Sequence, residues 1–435
     1  MNQGIGPIAP LPCVPQVFLR TMKKPLLAIL AAALVIFFAV AGPAAAASRC
    51  AQMQSWLKAG GGAASGLLVV DAETEEVMCA SGATKQLPLA SNTKLFTTSA
   101  ALAKLGPEST IATELMTDGT IDENGVLHGS LYLRGAGDPT LGTPAFYDGY
   151  LAGLGTNIFA LVPQLKQAGI TSVTGRLFGD DTIFDRKRGV ADSGYATSQY
   201  IGPLSGLDFN SGFAGNTSST HFSSDPAKLA TQVLDKSMIH SGIKISPTIA
   251  LAKTPGDAKS IAVIHSPPIS EIVNTTDVYS DNFFAEMLEK LLGARFGGAG
   301  TTAAGTKVVE AYARSLGSQI SQVDGSGLTR TNLASPEDVV HLLLGINKAE
   351  IGPEFIQDLA LSGKEGTTAG RMKGTAAYGR CRLKTGTLTG VSNLSGYCFN
   401  TDGKVMVFST LMGSVADTET AHYYQDKIAG AVASY

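Results

Sequence analysis

The chain lacks the charge pattern that nucleic-acid binding requires. Its 435 residues carry 33 Lys and Arg against 36 Asp and Glu, a formal net charge of −3, and they contain no block of like charges. A nucleic-acid partner needs a basic patch or stripe. These counts therefore exclude nucleic acid as the main partner.

Several catalytic motifs are also missing from the sequence. It has no HExxH pair for a metal and no G-x-S-x-G elbow for a hydrolase nucleophile. The glycine-rich stretch GGAGTTAAGTK has Thr306 before Lys307, so it lacks the Gly-Lys-Ser/Thr ending of a phosphate-binding loop. We therefore expect no metal and no cofactor.

The first 47 residues contain no Asp or Glu. They hold Arg20, Lys23 and Lys24, then the apolar run PLLAILAAALVIFFAV and the small-residue run AGPAAAAS. This order is typical of a signal peptide, which we predict over residues 1–47 with cleavage near Ala46 or Ala47. The alternative is an uncleaved membrane anchor, although the apolar run is shorter than the ~20 residues that a spanning helix needs. We expect an exported protein that works in the periplasm or cell-wall space.

Cysteine is scarce, and its count fits export. Cys13 lies in the predicted leader, and four cysteines remain, which allow three pairings. Cys381 and Cys398 lie on two apolar runs, RCRLKTG and LSGYCF, separated by TLTGVSN, so a hairpin would place them opposite each other. Cys50 would then pair with Cys79 by elimination. The alternative is that all four are buried free thiols.

The rest of the chain divides into segments that differ in residue pattern. Runs at Gly66–Asp71 and Glu76–Ala80 predict a hairpin, and a helix follows directly. Residues 106–266 are short strand-like pieces broken by Gly, Asp, Asn and Pro, which predict one or two inserted, mainly β subdomains. Helical periodicity returns afterwards, in FFAEMLEKLLGARF and TKVVEAYARSLG. Strand-rich and helix-rich segments are segregated, which argues against a parallel βαβ fold.

A serine three residues before a lysine is the first candidate for chemistry. The chain has three such pairs, beginning at Ser55, Ser91 and Ser241. Only Ser91 precedes an apolar helix, in PLASNTKLFTTSAAL, where hydroxyl and amine share one helix face. Burial there would lower the pKa of Lys94 and let it accept the serine proton. The alternative is structural, with Ser91 capping the helix and Lys94 on the surface.

Two further motifs each occur once in the chain. Ser280–Asn282 is Ser-Asp-Asn in a predicted loop between two helices, and Lys384–Gly386 is Lys-Thr-Gly on a predicted strand. Taken singly, the first is a good helix cap and the second an ordinary strand end. In the order Ser-x-x-Lys, Ser-x-Asn, Lys-Thr-Gly, the three motifs are the signature set of penicillin-binding proteins and serine β-lactamases.

The chain resembles the D-alanyl-D-alanine carboxypeptidase/endopeptidases of the low-molecular-mass class C, or DacB-like, penicillin-binding type. Beyond the motifs, the segments LRGAGDPTL, SPPISEIV, DGSGLTRTNLASPEDVV and KTGTLTGVSNLSGY resemble that family in its order. Ser280 follows Ser91 by 189 residues, which fits the large insertion typical of the family. One departure is that Thr276–Tyr279 has no basic residue before the Ser-x-Asn motif.

The resemblance implies an α/β (α+β) fold with a β-lactamase/transpeptidase-like core, an antiparallel sheet flanked by helices. Residues 48–105 and 267–435 would form this catalytic domain, and residues 106–266 would be the inserted β-rich part. The resemblance also implies the catalytic roles. Ser91 would be the acylated nucleophile and Lys94 its general base. Ser280 and Asn282 would assist proton transfer and anchor the substrate amide.

The resemblance further implies how substrate is held. Lys384 and Thr385 would bind the terminal carboxylate, and Gly386 would let substrate approach the strand. The backbone N–H groups of Ser91 and Thr387 would form an oxyanion hole.

The implied partners are peptidoglycan stem peptides ending in D-Ala-D-Ala, with β-lactams as covalent inhibitors. The resemblance also suggests that Asp181 in GDDTIF and Arg330 in GLTRTN contact the free end of a diamino acid; both residues could equally be structural. Two rival functions stay open. A β-lactamase would need a device that activates the deacylating water, and we find no Glu-x-x-Leu-Asn motif. The other rival is a catalytically silent peptidoglycan-binding protein.

Overall fold

The structure is a computed structural model, and it describes residues 43–216 and 221–435. Of the predicted leader, residues 1–47, the first 42 residues lie outside the described part, and the last five are described. These begin the first helix. No helix in the described part is long and apolar enough to cross a membrane.

The described chain contains eleven α-helices. Their bounds are α1 Pro43–Gly61, α2 Lys94–Leu105, α3 Pro144–Tyr150, α4 Leu161–Gln167, α5 Pro226–His240, α6 Ile269–Val278, α7 Asn282–Phe296, α8 Thr302–Ser315, α9 Pro336–Lys348, α10 Gly352–Asp358 and α11 Thr418–Val432.

Eighteen strands accompany these helices in the same described residues. Their bounds are β1 Ser65–Asp71, β2 Val77–Ser81, β3 Leu87–Pro88, β4 Ala112–Thr117, β5 Thr120–Ile121, β6 Val126–His128, β7 Leu131–Arg134, β8 Leu141–Gly142, β9 Thr156–Asn157, β10 Ser172–Val173, β11 Leu177–Asp180, β12 Ala250–Leu251, β13 Lys259–His265, β14 Leu333–Ala334, β15 Ala360–Leu361, β16 Cys381–Leu388, β17 Val391–Phe399 and β18 Val405–Gly413.

The largest sheet is antiparallel and has six strands, in the order β15-β16-β17-β18-β1-β2. Its strands come from both ends of the described chain, and β1 and β2 form the predicted hairpin. The mixed α/β fold with a helix-flanked antiparallel sheet is therefore confirmed.

Both faces of this sheet are covered by helices. Leu67 and Val69 of β1 point into a core with α1 and α11, whereas Leu68 and Val70 point to the opposite face, into a core with α2, α7 and α9. Because both faces are buried, β1 reads as a continuous apolar run, SGLLVVD, and not as an alternating one.

The segment between α2 and α6 has its own apolar core. Its main sheet has the strand order β12-β11-β7-β4-β13. This segment, which we expected to be mainly β, also contains α3, α4 and α5. Helix α5 is capped by Asp225, whose carboxylate accepts a hydrogen bond from the Lys228 backbone N–H, and it buries Ala230, Leu234 and Met238 on one face. Tertiary packing against β11 favours the helix despite the Gly- and Ser-rich surroundings.

Two disulfides are present, with the pairing expected from the sequence. Cys381 and Cys398 are directly opposite each other on β16 and β17, and Cys50 of α1 is bonded to Cys79 of β2. The Cys381–Cys398 disulfide joins two neighbouring strands of the large sheet, and the Cys50–Cys79 disulfide ties α1 to β2 at the opposite edge of the same sheet.

Candidate active site

Ser91 and Lys94 lie where a 3₁₀ turn, Ala90–Thr93, runs into α2. Ala90 has a φ of 46°, a left-handed conformation that costs energy for a residue with a side chain. Gly327 packs directly against this turn, so closely that a Cβ on Gly327 would lie 1.8 Å from the Ala90 carbonyl oxygen. The tight contact fixes the backbone just before Ser91.

The Lys94 amine is fully buried and lies within hydrogen-bonding distance of three oxygens. Its Nζ lies 3.0 Å from Ser91 Oγ, 2.7 Å from Asn282 Oδ1 and 2.7 Å from the Ser326 carbonyl oxygen. Burial lowers the pKa of Lys94 to about 8, against the opposing effect of nearby carboxylates such as Asp281 and Glu286. The alternative of a surface lysine is wrong, because Lys94 has no exposed area.

The geometry selects a direction for the amine lone pair. An amide oxygen and a backbone carbonyl oxygen can only accept hydrogen bonds, so they hold two N–H groups of a neutral Lys94. The Asn282 amide is oriented by its Nδ2, which donates to the Tyr200 carbonyl at 3.1 Å. The remaining position on Nζ faces the Ser91 hydroxyl, the one partner that can donate a proton.

Ser280 and Lys384 form the second half of the site. Ser280 lies between α6 and α7 with a φ of 60°, and its Oγ accepts a 2.9 Å hydrogen bond from Lys384 Nζ. Lys384 is fully buried on β16, where burial and the neighbouring Lys94 lower its pKa to about 7. Asp281 also caps α7 through the Phe284 N–H, so the cap interpretation of Ser-Asp-Asn is correct as well.

The edge of β16 is open beside these residues. β15 pairs only with Arg382 and Leu383, so among the described strands none pairs with the outer edge from Lys384 onward. Thr385 Oγ1 donates to Thr367 Oγ1 at 2.7 Å, and Thr387 is exposed. An open strand edge of this kind can take an extended peptide as an added strand.

Gly386 has a packing reason that differs from the one expected. A Cβ at this position would lie 2.8 Å from the Leu89 carbonyl oxygen and 3.1 Å from the Ser91 nitrogen. The missing side chain therefore lets the turn that carries Ser91 approach β16.

Asp181 and Arg330 are not brought into contact. Asp181 is buried, and its carboxylate pairs with Arg188 at 2.8 Å and with Arg186 at 3.6 Å. Arg330 is exposed, and its guanidinium donates to the Thr389 carbonyl in the β16–β17 turn. Arg330 thus lies beside the strand of the Lys-Thr-Gly motif, while Asp181 is held by its own arginines.

Sequence reasoning missed a set of buried acids behind the lysines. Glu286 Oε1 accepts the Ser326 N–H at 2.7 Å and so positions the carbonyl that binds Lys94. Burial raises the pKa of Glu286 to about 7, and it raises the pKa of Asp277, near Lys384, to about 7. The signal was present in FFAEMLEKLL, where acidic residues interrupt an otherwise apolar helix.

Comparison with known proteins shows the family of this chain. The model of the D-Ala-D-Ala carboxypeptidase 3 (S13) family matches residues 50–221 and 214–435, and the chain belongs to this family. The D-alanyl-D-alanine carboxypeptidase of Actinomadura sp. (strain R39) is 30% identical over 455 residues, covering 86% of this chain and 82% of that protein. Carboxypeptidase DacB of Mycolicibacterium smegmatis is 26% identical over 80% of this chain and 76% of its own length.

A solved structure shows the same fold. The crystal structure of penicillin binding protein 4 (dacB) from Haemophilus influenzae has a TM-score of 0.75 at 19% identity, covering 89% of this chain and 99% of that one. By family, the chain is an enzyme, a hydrolase of the serine carboxypeptidase class.

Proposed function

We propose that this chain is an exported D-Ala-D-Ala carboxypeptidase and DD-endopeptidase that acts on peptidoglycan stem peptides through an acyl-enzyme on Ser91. The observation that carries the proposal is the placement of the Lys94 amine. It has two acceptor-only partners and faces the Ser91 hydroxyl at 3.0 Å. The names of the relatives point to the same substrate class.

In the first step, neutral Lys94 takes the Ser91 proton while Oγ forms a bond to the carbonyl carbon of the penultimate D-alanine. The negative charge that develops on the carbonyl oxygen is stabilised by the N–H groups of Ser91 and Thr387. The C–N bond then breaks, and the leaving amine receives the proton through Lys94 and Ser280. Water next attacks the ester, which frees Ser91 and releases the trimmed peptide.

Substrate binding prepares the two lysines for this step. A terminal carboxylate near Lys384 and Thr385 favours the charged form of Lys384. A charged Lys384 disfavours a second charge on Lys94, because two like charges that lie close together repel each other. The carboxylate therefore shifts the proton toward Lys384 and leaves Lys94 as the base.

The open edge of β16 supports a peptide substrate. Beyond Leu383 an extended stem peptide can pair with the strand, which would place its scissile bond next to the Ser91 turn. In this arrangement Arg330 is available to a diamino acid side chain of the peptide. For Asp181 the same role remains a prediction, since its carboxylate is paired with Arg188.

We also propose that residues 48–105 and 267–435 form the catalytic domain and that residues 106–266 are an insertion. The six-stranded sheet takes its strands from the two outer segments, and the middle segment has a separate apolar core. Export through the leader at residues 1–47 would bring the enzyme to its substrate.

The test uses defined muropeptides, monomeric and cross-linked, followed by mass spectrometry. Loss of one D-alanine from monomers establishes the carboxypeptidase, and cleavage of dimers establishes the endopeptidase. Ser91→Ala, the control, should abolish both reactions and should not be labelled by penicillin. Steady turnover of a chromogenic cephalosporin would instead favour a β-lactamase, and wild-type protein that penicillin cannot modify at Ser91 would overturn the proposal.

A further inference from the structure

A cavity of about 630 Å³ lies between the five-stranded sheet β12-β11-β7-β4-β13 and the end of helix α7. Its walls come from β4, β7 and β11 on one side, and from Arg295 in the last turn of α7 on the other. None of the three motifs contributes a residue to it. The cavity is therefore separate from the Ser91 site.

Three cations line this cavity: Arg134, Lys253 and Arg295. Arg134 is paired with Glu114 on the adjacent strand. Lys253 and Arg295 are exposed, and neither makes an ion pair or side-chain hydrogen bond with any described residue. Two positive charges are thus left unpaired at one opening, in a protein whose net charge is negative.

The second carboxylate in the wall, Asp180, is already fully hydrogen-bonded. Its Oδ1 accepts from the Thr182 N–H at 3.0 Å, and its Oδ2 accepts from the Thr254 N–H at 2.7 Å. Burial would raise the pKa of Asp180, but these hydrogen bonds outweigh burial and lower it. Asp180 therefore stays charged, and its carboxylate oxygens accept hydrogen bonds from backbone N–H groups. Within the described residues it makes no ion pair with Lys253.

We propose that this cavity, the basic cleft, binds an oxyanion group, a carboxylate or a phosphate, of the same cell-wall polymer whose peptide reaches Ser91. The inference rests on the proposed function. Helix α7 connects the two places, because Asn282 begins it at the active site and Arg295 lies 13 residues further along. At ~1.5 Å per residue this is about 20 Å, which an extended chain of about six residues spans.

The cleft would act by electrostatic attraction at short range. A polyanionic wall polymer is repelled by the net negative charge of the protein, so a local group of cations decides where it can dock. Docking at about 20 Å from Ser91 would favour polymeric substrate over free peptides. Small ligands that occupy only the Ser91 site would be unaffected.

The test compares two double charge reversals. Lys253→Glu with Arg295→Glu removes the unpaired charges of the cleft. The matched control, Lys228→Glu with Lys236→Glu, makes the same change in net charge on exposed positions of α5 outside the cleft. Retention on purified insoluble peptidoglycan is measured in a Ser91→Ala background, so that the polymer is not digested.

We expect the cleft variant to lose about fivefold or more of its retention at low salt, and the control to lose less than about twofold. Glu114→Gln, which frees Arg134, should increase retention, a direction that damage to the fold would not produce. Equal losses in both double variants, or no loss in the cleft variant, would overturn the inference.

Chemical treatment of the polymer distinguishes a phosphate ligand from a carboxylate ligand. If stripping phosphate-containing polymers from the wall removes the difference between variants, the ligand is a phosphate. If amidation of the peptide carboxylates removes it, the ligand is a carboxylate. A difference that survives both treatments would refute an oxyanion ligand.

Penicillin labelling of the wild type and of the cleft variant, both with Ser91 intact, distinguishes a failure of the basic cleft from a failure of the proposed function. The cleft variant should be labelled at the wild-type rate if only polymer docking is lost. Failure of wild-type labelling would count against the proposed function itself, whereas unchanged retention with normal labelling counts against the basic cleft alone.

Discussion

The rate at which a β-lactam acylates Ser91 should depend on pH as a bell-shaped curve. The reaction needs neutral Lys94 as the base and charged Lys384 for the carboxylate of the ligand. Burial lowers the pKa of Lys94 to about 8 and that of Lys384 to about 7. Acid conditions therefore remove the base, and alkaline conditions remove the carboxylate-binding charge.

These two values set the size of the effect. The second-order acylation rate should peak near pH 7.5, about midway between the two pKa values. At pH 5.5 and at pH 9.5 the rate should be about 20-fold lower than at the maximum. If both lysines instead had the ordinary pKa of about 10.4, the rate would still rise through pH 10.

The assay is labelling with a fluorescent penicillin, quenched at short times over pH 5 to 10. At limiting ligand it reports the free enzyme, and at saturating ligand it reports the complex. Because a bound carboxylate favours charged Lys384, saturation should move the alkaline limb to higher pH. A rate that rises through pH 10 would refute the effect of burial, and an alkaline limb that saturation does not move would refute Lys384 as the carboxylate ligand.

Three further perturbations test the supports of the site. Gly386→Ala should destabilise the protein by about 1–3 kcal/mol and slow acylation, because its Cβ would press on the Ser91 turn. The control Gly256→Ala, whose Cβ would lie in open space, should change neither property. Thermal unfolding measures the stability, and penicillin labelling measures the acylation rate. Replacing the buried Cys381–Cys398 disulfide by two alanines should cost about 3 kcal/mol in chemical unfolding, and an unchanged midpoint would contradict its role. Asp277→Asn removes a carboxylate that raises the pKa of both site lysines, so the bell-shaped curve should move to lower pH; a shift to higher pH would reverse the assigned sign.

Much of the fold was accessible from local patterns. The β1–β2 hairpin, the strand that carries Lys384 and the disulfide between Cys381 and Cys398 all follow from short apolar runs around turn residues. Such features depend on contacts between neighbours in the chain, which periodicity reports directly. Helices α3, α4 and α5 were missed because they lie in a segment rich in Gly, Ser and Asn, where tertiary packing stabilises them.

The sequence by itself determined the three motifs, their order and the spacing of Ser91 and Lys94, since residues three apart at a helix start share a face. Only the tertiary structure decided which groups meet the Lys94 amine. The Asn282 side chain and the Ser326 carbonyl come from positions 188 and 232 residues away. It likewise decided that Ser280 meets Lys384, and that burial, which no local pattern measures, lowers the pKa of both lysines. Sheet register and helix packing bring these distant groups together, and neither property can be read from a short window of sequence.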